Sequence, residues 1–173
     1  MRVRNAKAVR NTMAALLLLL VLHIMSFHYG RRYWLNLTDS EPMGLYRLEE
    51  FDGKLRRGDV IVMAVPSEFR QYVYGRGWLP EGWALFKHVG AVAGDTYCIS
   101  ESTLTINGVT IGPVYETDQE GLPLPRLHGC RQVPAGFFLP VATRIKRSFD
   151  GRYMGPVRTS EIRGVAWPVF ILQ

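Results

Sequence analysis

A serine and a lysine in this sequence stand in surroundings that are unusual for their residue types. Ser40 lies between two carboxylates in LTDSEPMGLYR (37–47), and Lys87 lies in ALFKHVGA (84–91). On an extended strand, the face that carries Lys87 is otherwise apolar. The other residues on that face are Leu85, Val89 and Ala91. Burial among apolar groups lowers the pKa of a lysine, and a neutral amine can take the proton of a hydroxyl group. Ser40 and Lys87 are therefore candidates for a nucleophile and its general base. The alternatives are an ordinary turn serine and a lysine that reaches solvent.

Other kinds of catalytic site have no support in the sequence. It contains neither of the glycine-rich phosphate-binding motifs, and its two cysteines and four histidines lack zinc-site spacing. His88 and His128 are available for a Ser-His pair, but no serine lies in a G-x-S-x-G motif. We therefore expect a site without a metal and without a cofactor.

The N-terminal region predicts a membrane anchor. Four basic residues come first, and residues 13–29 carry no formal charge. The net charge of +6 falls to +2 without these four, which leaves 17 of the 21 basic residues against 15 acidic ones. The excess charge therefore favours membrane targeting over nucleic-acid binding. We predict a basic cytoplasmic segment at 1–12, a transmembrane anchor at 13–30 and an extracytoplasmic domain at 31–173. A buried core helix is the alternative for the apolar run.

The remainder of the chain has the pattern of an all-β domain. DVIVMAV (59–65) is typical of a buried strand, and Asn107-Gly108 predicts a hairpin turn between alternating apolar positions. GFFLPVA (136–142) and GVAWPVFILQ (164–173) predict further strands, whose prolines place them at sheet edges or bulges. Only 67–75 suggests a short helix, capped by its first serine. The predicted fold is mainly β, an antiparallel barrel or sandwich.

The two cysteines, Cys98 and Cys130, are consistent with the predicted extracytoplasmic location of the domain. In an oxidising compartment they can form a disulfide. Two unrelated buried thiols are the alternative.

Five stretches, in this order along the chain, resemble the type I signal peptidases. The segment LPLPRLHGCRQVP, the Ser-x-Pro-x-Gly-Leu-Tyr form and the small size are most similar to the TraF-type conjugative-transfer peptidases. The resemblance covers nearly the whole chain, and it implies an all-β catalytic domain tethered by an N-terminal helix. The stretches are SEPMGLYR (40–47), RRGDVIVMAVP (56–66), FKHVGAVAGD (86–95), NGV (107–109) and SFDGRYMGPV (148–157).

The resemblance implies roles for particular residues. Ser40 is the expected nucleophile and Lys87 the expected general base. Ser148 corresponds to a serine that orients the lysine, and a charged pair, Asp150 and Arg152, corresponds to residues that support the site.

Three further positions concern the surroundings of the nucleophile. The Thr38 hydroxyl, beside the backbone N–H of Ser40, is the expected oxyanion donor. Glu41 stands where preprotein peptidases usually have a methionine, and Gly151 stands where they usually have a serine. Both departures favour a specialised substrate over housekeeping signal-peptide cleavage.

The implied function is that of a membrane-anchored serine endopeptidase that forms an acyl-enzyme. Its expected substrates are secreted or pilin precursors in conjugative transfer, with pilin cyclisation as one implied outcome. The expected partners are a membrane-embedded precursor, the lipid bilayer and a conjugation or secretion machinery, without nucleic acid. The expected location is the bacterial inner membrane, as a single-pass protein with its catalytic domain in the periplasm. The alternatives are a general leader peptidase of preproteins and a non-catalytic scaffold of a secretion or pilus complex.

Overall fold

A computed structural model gives the structure of residues 2–29, 32–142 and 144–172. The chain forms two compact units, Met1–Trp34 and Leu35–Gln173. All of the predicted site residues belong to the second unit.

Helix α1, Arg2–Tyr29, makes up most of the first unit. Its segment Lys7–Phe27 has a mean hydropathy of 1.8 over a length that can cross a membrane once. None of this segment is buried, which argues against the alternative of a core helix. In the part of the chain that the structure describes, the length and composition of this one helix are those of a membrane anchor or a signal sequence. The basic residues that were expected to precede the span belong to the same helix.

The described residues also form eleven strands, and the pairings among the ten strands from Gly44 onward are antiparallel. The strands are β1 Tyr33–Asn36, β2 Gly44–Glu49, β3 Val60–Met63, β4 Leu85–Val92, β5 Thr96–Ser100, β6 Thr103–Ile106, β7 Val109–Pro113, β8 Gly129–Gln132, β9 Phe137–Val141, β10 Val157–Arg158 and β11 Ile162–Ile171. Seven of them form one sheet in the order β1-β2-β11-β3-β4-β9-β10, and four form another in the order β7-β6-β5-β8. The prediction of a mainly β fold is confirmed.

The two prolines within strands of the larger sheet lie at irregularities of that sheet. Pro140 of β9 is opposite Val89 of β4, and the register shifts between Val89 and Ala91. Pro168 of β11 precedes a second shift, which ends at Phe170. A bulge tolerates the missing backbone donor of a proline, so both residues fit inside paired strands.

Two apolar clusters hold the strands together. One packs β3, β4 and β9 against the short helical segments, with Ile61, Met63 and Phe138 almost completely buried. The other lies under the smaller sheet and includes Leu104 and Leu139. Burial of this apolar surface is the main driving force for folding, at roughly 25 cal/mol for each Å² removed from water.

The helical segments of the second unit are short. The predicted helix at 67–75 is a 3-10 turn, Ser67–Phe69, followed by α2, Arg70–Val73. The expectation that Ser67 caps it is wrong, because the Ser67 hydroxyl donates to the carboxylate of Glu68 instead. Helix α3, Gly151–Met154, is capped by Asp150, whose carboxylate accepts from the backbone N–H of Arg152.

A disulfide joins the two cysteines. Cys98 of β5 and Cys130 of β8 are directly opposite each other in the smaller sheet, and their sulfur atoms are bonded. The prediction of a disulfide is confirmed, and the alternative of two separate thiols is wrong.

Candidate active site

The segment that carries Ser40 is organised by a buried asparagine. The Asn36 side chain is 1% exposed, and its Nδ2 donates to the backbone oxygens of Thr38, Glu41 and Pro42 at 3.0–3.1 Å. Its Oδ1 accepts from the backbone N–H of Thr38 at 3.1 Å and from the Thr38 hydroxyl at 2.8 Å. One side chain therefore fixes the backbone on both sides of Ser40.

Ser40 itself is buried, with 6% of its surface exposed. Its hydroxyl donates to the carbonyl oxygen of Phe86 at 3.3 Å and lies 3.2 Å from the Thr38 hydroxyl oxygen. Phe86 directly precedes Lys87 on β4. The segment of the predicted nucleophile therefore packs against the strand of the predicted base.

Lys87 points into a protein interior that disfavours its charge. The side chain is 3% exposed, as the alternation along β4 predicted, and Nζ donates to the Ser148 hydroxyl oxygen at 2.8 Å. Burial lowers the pKa of Lys87, while the charges of Asp150 and Glu41 oppose this effect and that of Arg152 adds to it. In the described part of the chain no hydrogen bond joins Lys87 to Ser40. Ser40 donates to Phe86 instead, and Lys87 donates to Ser148.

Asp150 and Arg152 hold the loop that follows β9. The Asp150 carboxylate accepts from the backbone N–H groups of Ala142 and Arg152, and Arg152 donates to the backbone oxygens of Ala142 and Lys146. Their side chains are buried, and Arg152 Nη1 is 3.6 Å from Asp150 Oδ2. Burial raises the pKa of Asp150, against the lowering effect of Arg152 and Lys87. The pair thus stabilises the loop beside Ser148 without touching Ser40 in any hydrogen bond among the described residues.

Steric crowding explains why the residue after Asp150 is a glycine, Gly151. A Cβ atom at Gly151 would lie 2.6 Å from the carbonyl oxygen of Pro140 and 2.8 Å from the side chain of Leu139. Backbone atoms cannot yield easily at that distance. The departure from the serine of preprotein peptidases therefore follows from how closely α3 packs on β9.

Ser40 and Lys87 line the same cavity, which has a volume of about 400 Å³. Most of its wall is apolar or aromatic, and the segment between β7 and β8 closes one side of it. Arg76 secures that segment by an ion pair with Asp118 at 2.7 Å and a hydrogen bond to the Pro123 carbonyl oxygen. Other residues of the wall are Val73, Trp78, Leu79, Leu124, Phe149 and Tyr153. The cavity has the size and lining to hold a short apolar stretch of a peptide.

The two histidines that were considered for a Ser-His pair do not line this cavity. His128 is exposed. His88 Nδ1 lies 2.5 Å from Oε1 of Glu41. The sequence did not predict the roles of Asn36, Glu41 or His88 around the site, although an asparagine between two leucines and a glutamate beside the candidate nucleophile were visible signals.

Comparison with known proteins agrees with the resemblance in the sequence. The model of the family "Signal peptidase, peptidase S26" matches residues 5–171. The conjugal transfer protein TraF of Agrobacterium fabrum (strain C58 / ATCC 33970) is 34% identical over 147 residues, which cover 80% of this chain and 82% of the relative. The plasmid transfer protein TraF of Escherichia coli is 30% identical, with coverage of 78% and 80%.

A signal peptidase I of Bacillus licheniformis is more distant. It is 25% identical over 141 residues, which cover 78% of this chain and 69% of the relative. The resemblance to signal peptidases and to TraF-type transfer proteins is therefore confirmed. With a family model that matches almost its whole length, the chain belongs to the signal peptidase family, peptidase S26.

Proposed function

We propose that the chain is a membrane-anchored serine peptidase in which Ser40 is the nucleophile and Lys87 the general base. The observation that carries this proposal is their placement in one cavity, with the Lys87 amine almost completely buried and held by Ser148. A buried amine that is neutral near neutral pH is the base that a serine hydroxyl requires. Catalytic hydrogen bonds are often absent before the substrate binds, so the separate partners of the two side chains are compatible with this role.

The first half of the reaction acylates the enzyme. Lys87 Nζ takes the proton of the Ser40 hydroxyl while Oγ forms a bond to the carbonyl carbon of the scissile peptide. The carbonyl electrons move to the oxygen, and the tetrahedral intermediate then collapses. The C–N bond breaks, and the Lys87 ammonium returns the proton to the leaving amine. The products are an ester at Ser40 and the released C-terminal fragment.

The second half releases the acyl group. Lys87 takes a proton from a water molecule, whose oxygen attacks the ester carbon, and the proton returns to Ser40 Oγ as the ester bond breaks. An amine at the N-terminus of the substrate can replace this water, and the product is then a cyclic peptide. Hydrolysis and cyclisation thus share one acyl-enzyme.

The oxyanion would be stabilised by the Ser40 backbone N–H and the Thr38 hydroxyl. Thr38 Oγ1 is 3.2 Å from Ser40 Oγ, which supports this assignment. Its proton points to Asn36, so the hydroxyl must rotate toward the oxyanion during the reaction. Loss of one oxyanion donor typically raises the barrier by about 2.7–4 kcal/mol.

The substrate is proposed to be a precursor protein of a conjugation system, such as a pilin. The relatives named TraF support this choice, because four of them are 30% or more identical to this chain over most of its length. The departure at Glu41 from preprotein peptidases points the same way. The similarity to a signal peptidase I supports the second candidate, a general leader peptidase.

The catalytic unit is proposed to act at the outer face of the bacterial inner membrane, on the periplasmic side. The basic residues at the start of α1 favour a cytoplasmic N-terminus, and the disulfide fits an oxidising compartment. Large apolar side chains near the nucleophile segment are exposed, among them Leu37, Met43 and Phe170. Contiguous exposed apolar surface favours contact with a membrane or a protein partner.

The test is cleavage of two substrates by the purified full chain in detergent. One substrate is a conjugative pilin precursor, and the other is an ordinary preprotein. We expect cleavage of the pilin precursor, and its loss in both Ser40→Ala and Lys87→Ala. Equal processing of both substrates would favour the general leader peptidase. Normal pilin processing and transfer in cells that carry Ser40→Ala would overturn the catalytic proposal in favour of a scaffold.

A further inference from the structure

The residues that directly follow the proposed nucleophile and base contact each other. Glu41 follows Ser40, His88 follows Lys87, and His88 Nδ1 lies 2.5 Å from Glu41 Oε1. Neither Glu41 nor His88 lines the cavity that holds Ser40 and Lys87. Successive side chains of a strand point to opposite faces, so His88 of β4 lies on the face away from Lys87. The contact of His88 with Glu41 thus joins the same two segments as the hydrogen bond from Ser40 to the Phe86 carbonyl oxygen.

Glu41 is an unusual residue to bury in this place. The whole residue is 0% exposed, whereas the His88 side chain is 27% exposed. Glu41 Oε2 is also buried and accepts no hydrogen bond from the described residues. An ionised carboxylate in such a position is costly unless a cation compensates it, and His88 is the side chain that contacts it. A methionine, as in preprotein peptidases, would be enough to fill this position. The cost of burying a carboxylate instead suggests that Glu41 has a role beyond packing.

Several charged groups surround the Lys87 amine, and Glu41 is one of them. Asp150 and Glu41 raise the pKa of Lys87, and Arg152 lowers it, while burial has the largest effect and lowers it. Glu41 also acts on Tyr46, whose pKa is raised first by burial and then by this carboxylate. The other ionisable residues that line the cavity with Lys87 are Asp39, Tyr115, Asp118, Glu120, Arg147 and Tyr153.

We propose that Glu41 and His88 are a positioning pair that fixes the segment of Ser40 to strand β4 and sets the pH range in which Lys87 acts as a base. This inference rests on the proposed roles of Ser40 and Lys87. The pair joins the segment of Ser40 to β4 on the face of the strand opposite Lys87. The carboxylate of Glu41 favours the protonated amine and therefore keeps Lys87 from losing its proton at too low a pH.

The pH dependence has a definite sign. Lys87 is active when neutral, so activity increases as the pH rises through its pKa. Replacing Glu41 by glutamine removes a negative charge near the amine but retains a polar group opposite His88. The pKa of Lys87 then falls, and the rise in activity moves to lower pH.

Direct titration of Lys87 by NMR tests this inference. The chain has four lysines, Lys7, Lys54, Lys87 and Lys146, so the full chain labelled at lysine Cε gives few signals, and Lys87→Met assigns the one of interest. We expect the midpoint of Lys87 to move to lower pH in Glu41→Gln. The exposed Glu50 supplies the control, and Glu50→Gln should leave the midpoint unchanged. An unchanged midpoint in folded Glu41→Gln would overturn the inference.

A double variant covers the case in which Glu41→Gln does not fold. Glu41→Met with His88→Leu removes both partners and leaves no unpaired buried charge, an exchange that buried ion pairs often tolerate. The Lys87 midpoint should again move to lower pH, and kcat/KM for the pilin precursor should fall about tenfold or more, because the support behind Ser40 is lost. An unchanged midpoint with unchanged kcat/KM would reject the pair as a positioning element.

The outcomes separate this inference from the proposed function. Cleavage that survives Ser40→Ala and Lys87→Ala would refute the proposed function, whatever the titration gives. The other outcome is that both variants abolish cleavage, while the pH profile and the Lys87 midpoint are the same in wild type and Glu41→Gln. This outcome would refute only the role of Glu41.

Discussion

The Nζ atom of Lys87 donates a hydrogen bond to the hydroxyl oxygen of Ser148 at 2.8 Å, between residues 61 positions apart in the chain. Lys87 lies in the middle of β4, and Ser148 lies in the loop that leads to α3. Both residues are buried, with 3% of each exposed. This contact fixes the direction of the Lys87 amine, so the role of Ser148 in the proposed mechanism is to orient the general base.

Ser148→Ala should weaken catalysis without abolishing it. The variant removes one partner of a buried hydrogen bond, a loss of roughly 1–3 kcal/mol, which corresponds to about a fivefold to 150-fold fall in kcat/KM. Lys87→Ala should cost far more, because the base itself is absent. Steady-state cleavage of the pilin precursor measures both, with the exposed Ser160→Ala as the control. Equal losses in Ser148→Ala and Ser160→Ala would contradict an orienting role for Ser148.

A side chain at position 151 should destabilise the protein. In Gly151→Ala the new Cβ meets the Pro140 carbonyl oxygen, so α3 has to move away from β9. We expect the free energy of unfolding to fall by about 1–3 kcal/mol, the usual cost of overpacking. Urea unfolding of the full chain in detergent, followed by tryptophan fluorescence, measures this. Gly151→Ser, which has the residue of the preprotein peptidases, should lose at least as much, and a neutral result for both would show that the packing is loose.

These examples show what the sequence could and could not predict. The burial of Lys87 followed from the alternation of apolar residues along one strand, which is a local pattern. The contact of Glu41 with His88 joins residues 47 positions apart. The hydrogen bonds from the Asn36 side chain to the backbone around Ser40 depend on the path of a loop. No local pattern encodes such contacts. Strand β8 was missed for a related reason, since all four of its residues are exposed and lack apolar alternation.

Asp95 should contribute stability across the neutral pH range. Its carboxylate accepts from Arg57, from Asn107 Nδ2 at 2.9 Å and from the backbone N–H of Val92 at 2.9 Å. The hydrogen bond from Arg57 is the largest of the effects that hold the pKa of Asp95 well below its usual range. A depressed pKa in the folded state means that the stabilisation is present above the unfolded value of about 3.9 and is lost as the pH falls below it.

Asp95→Asn tests this linkage. We expect a loss of about 1–2 kcal/mol in the free energy of unfolding at pH 7, a modest value because the partner Arg57 is more than half exposed. The difference from wild type should remain between pH 5 and 8, and it should shrink only below about pH 4. Urea unfolding at each pH measures it, with Glu50→Gln as the control. A difference that grows on acidification would contradict the assigned sign.

The disulfide should stabilise the sheet that carries it. Cys98 and Cys130 are 32 positions apart, and closing a loop of that length contributes roughly 3–4 kcal/mol in the chain-entropy model. Reduction should lower the urea midpoint of the wild type. Cys98→Ser and Cys130→Ser should have the lower midpoint from the start and should not respond to the reductant. Mass spectrometry of the alkylated protein with and without reductant checks the pairing itself, and two free thiols in the unreduced protein would refute it.

The central claim is that peptide cleavage passes through an ester at Ser40 whose formation requires Lys87. Acid quenching of the full chain during turnover of the precursor that it cleaves, followed by peptide mapping, tests this most directly. The account predicts a Ser40 peptide that carries the mass of the N-terminal substrate fragment in the wild type, and no such adduct in Lys87→Ala or Ser40→Ala. Undiminished cleavage by Ser40→Ala, or an adduct on another residue, would contradict it.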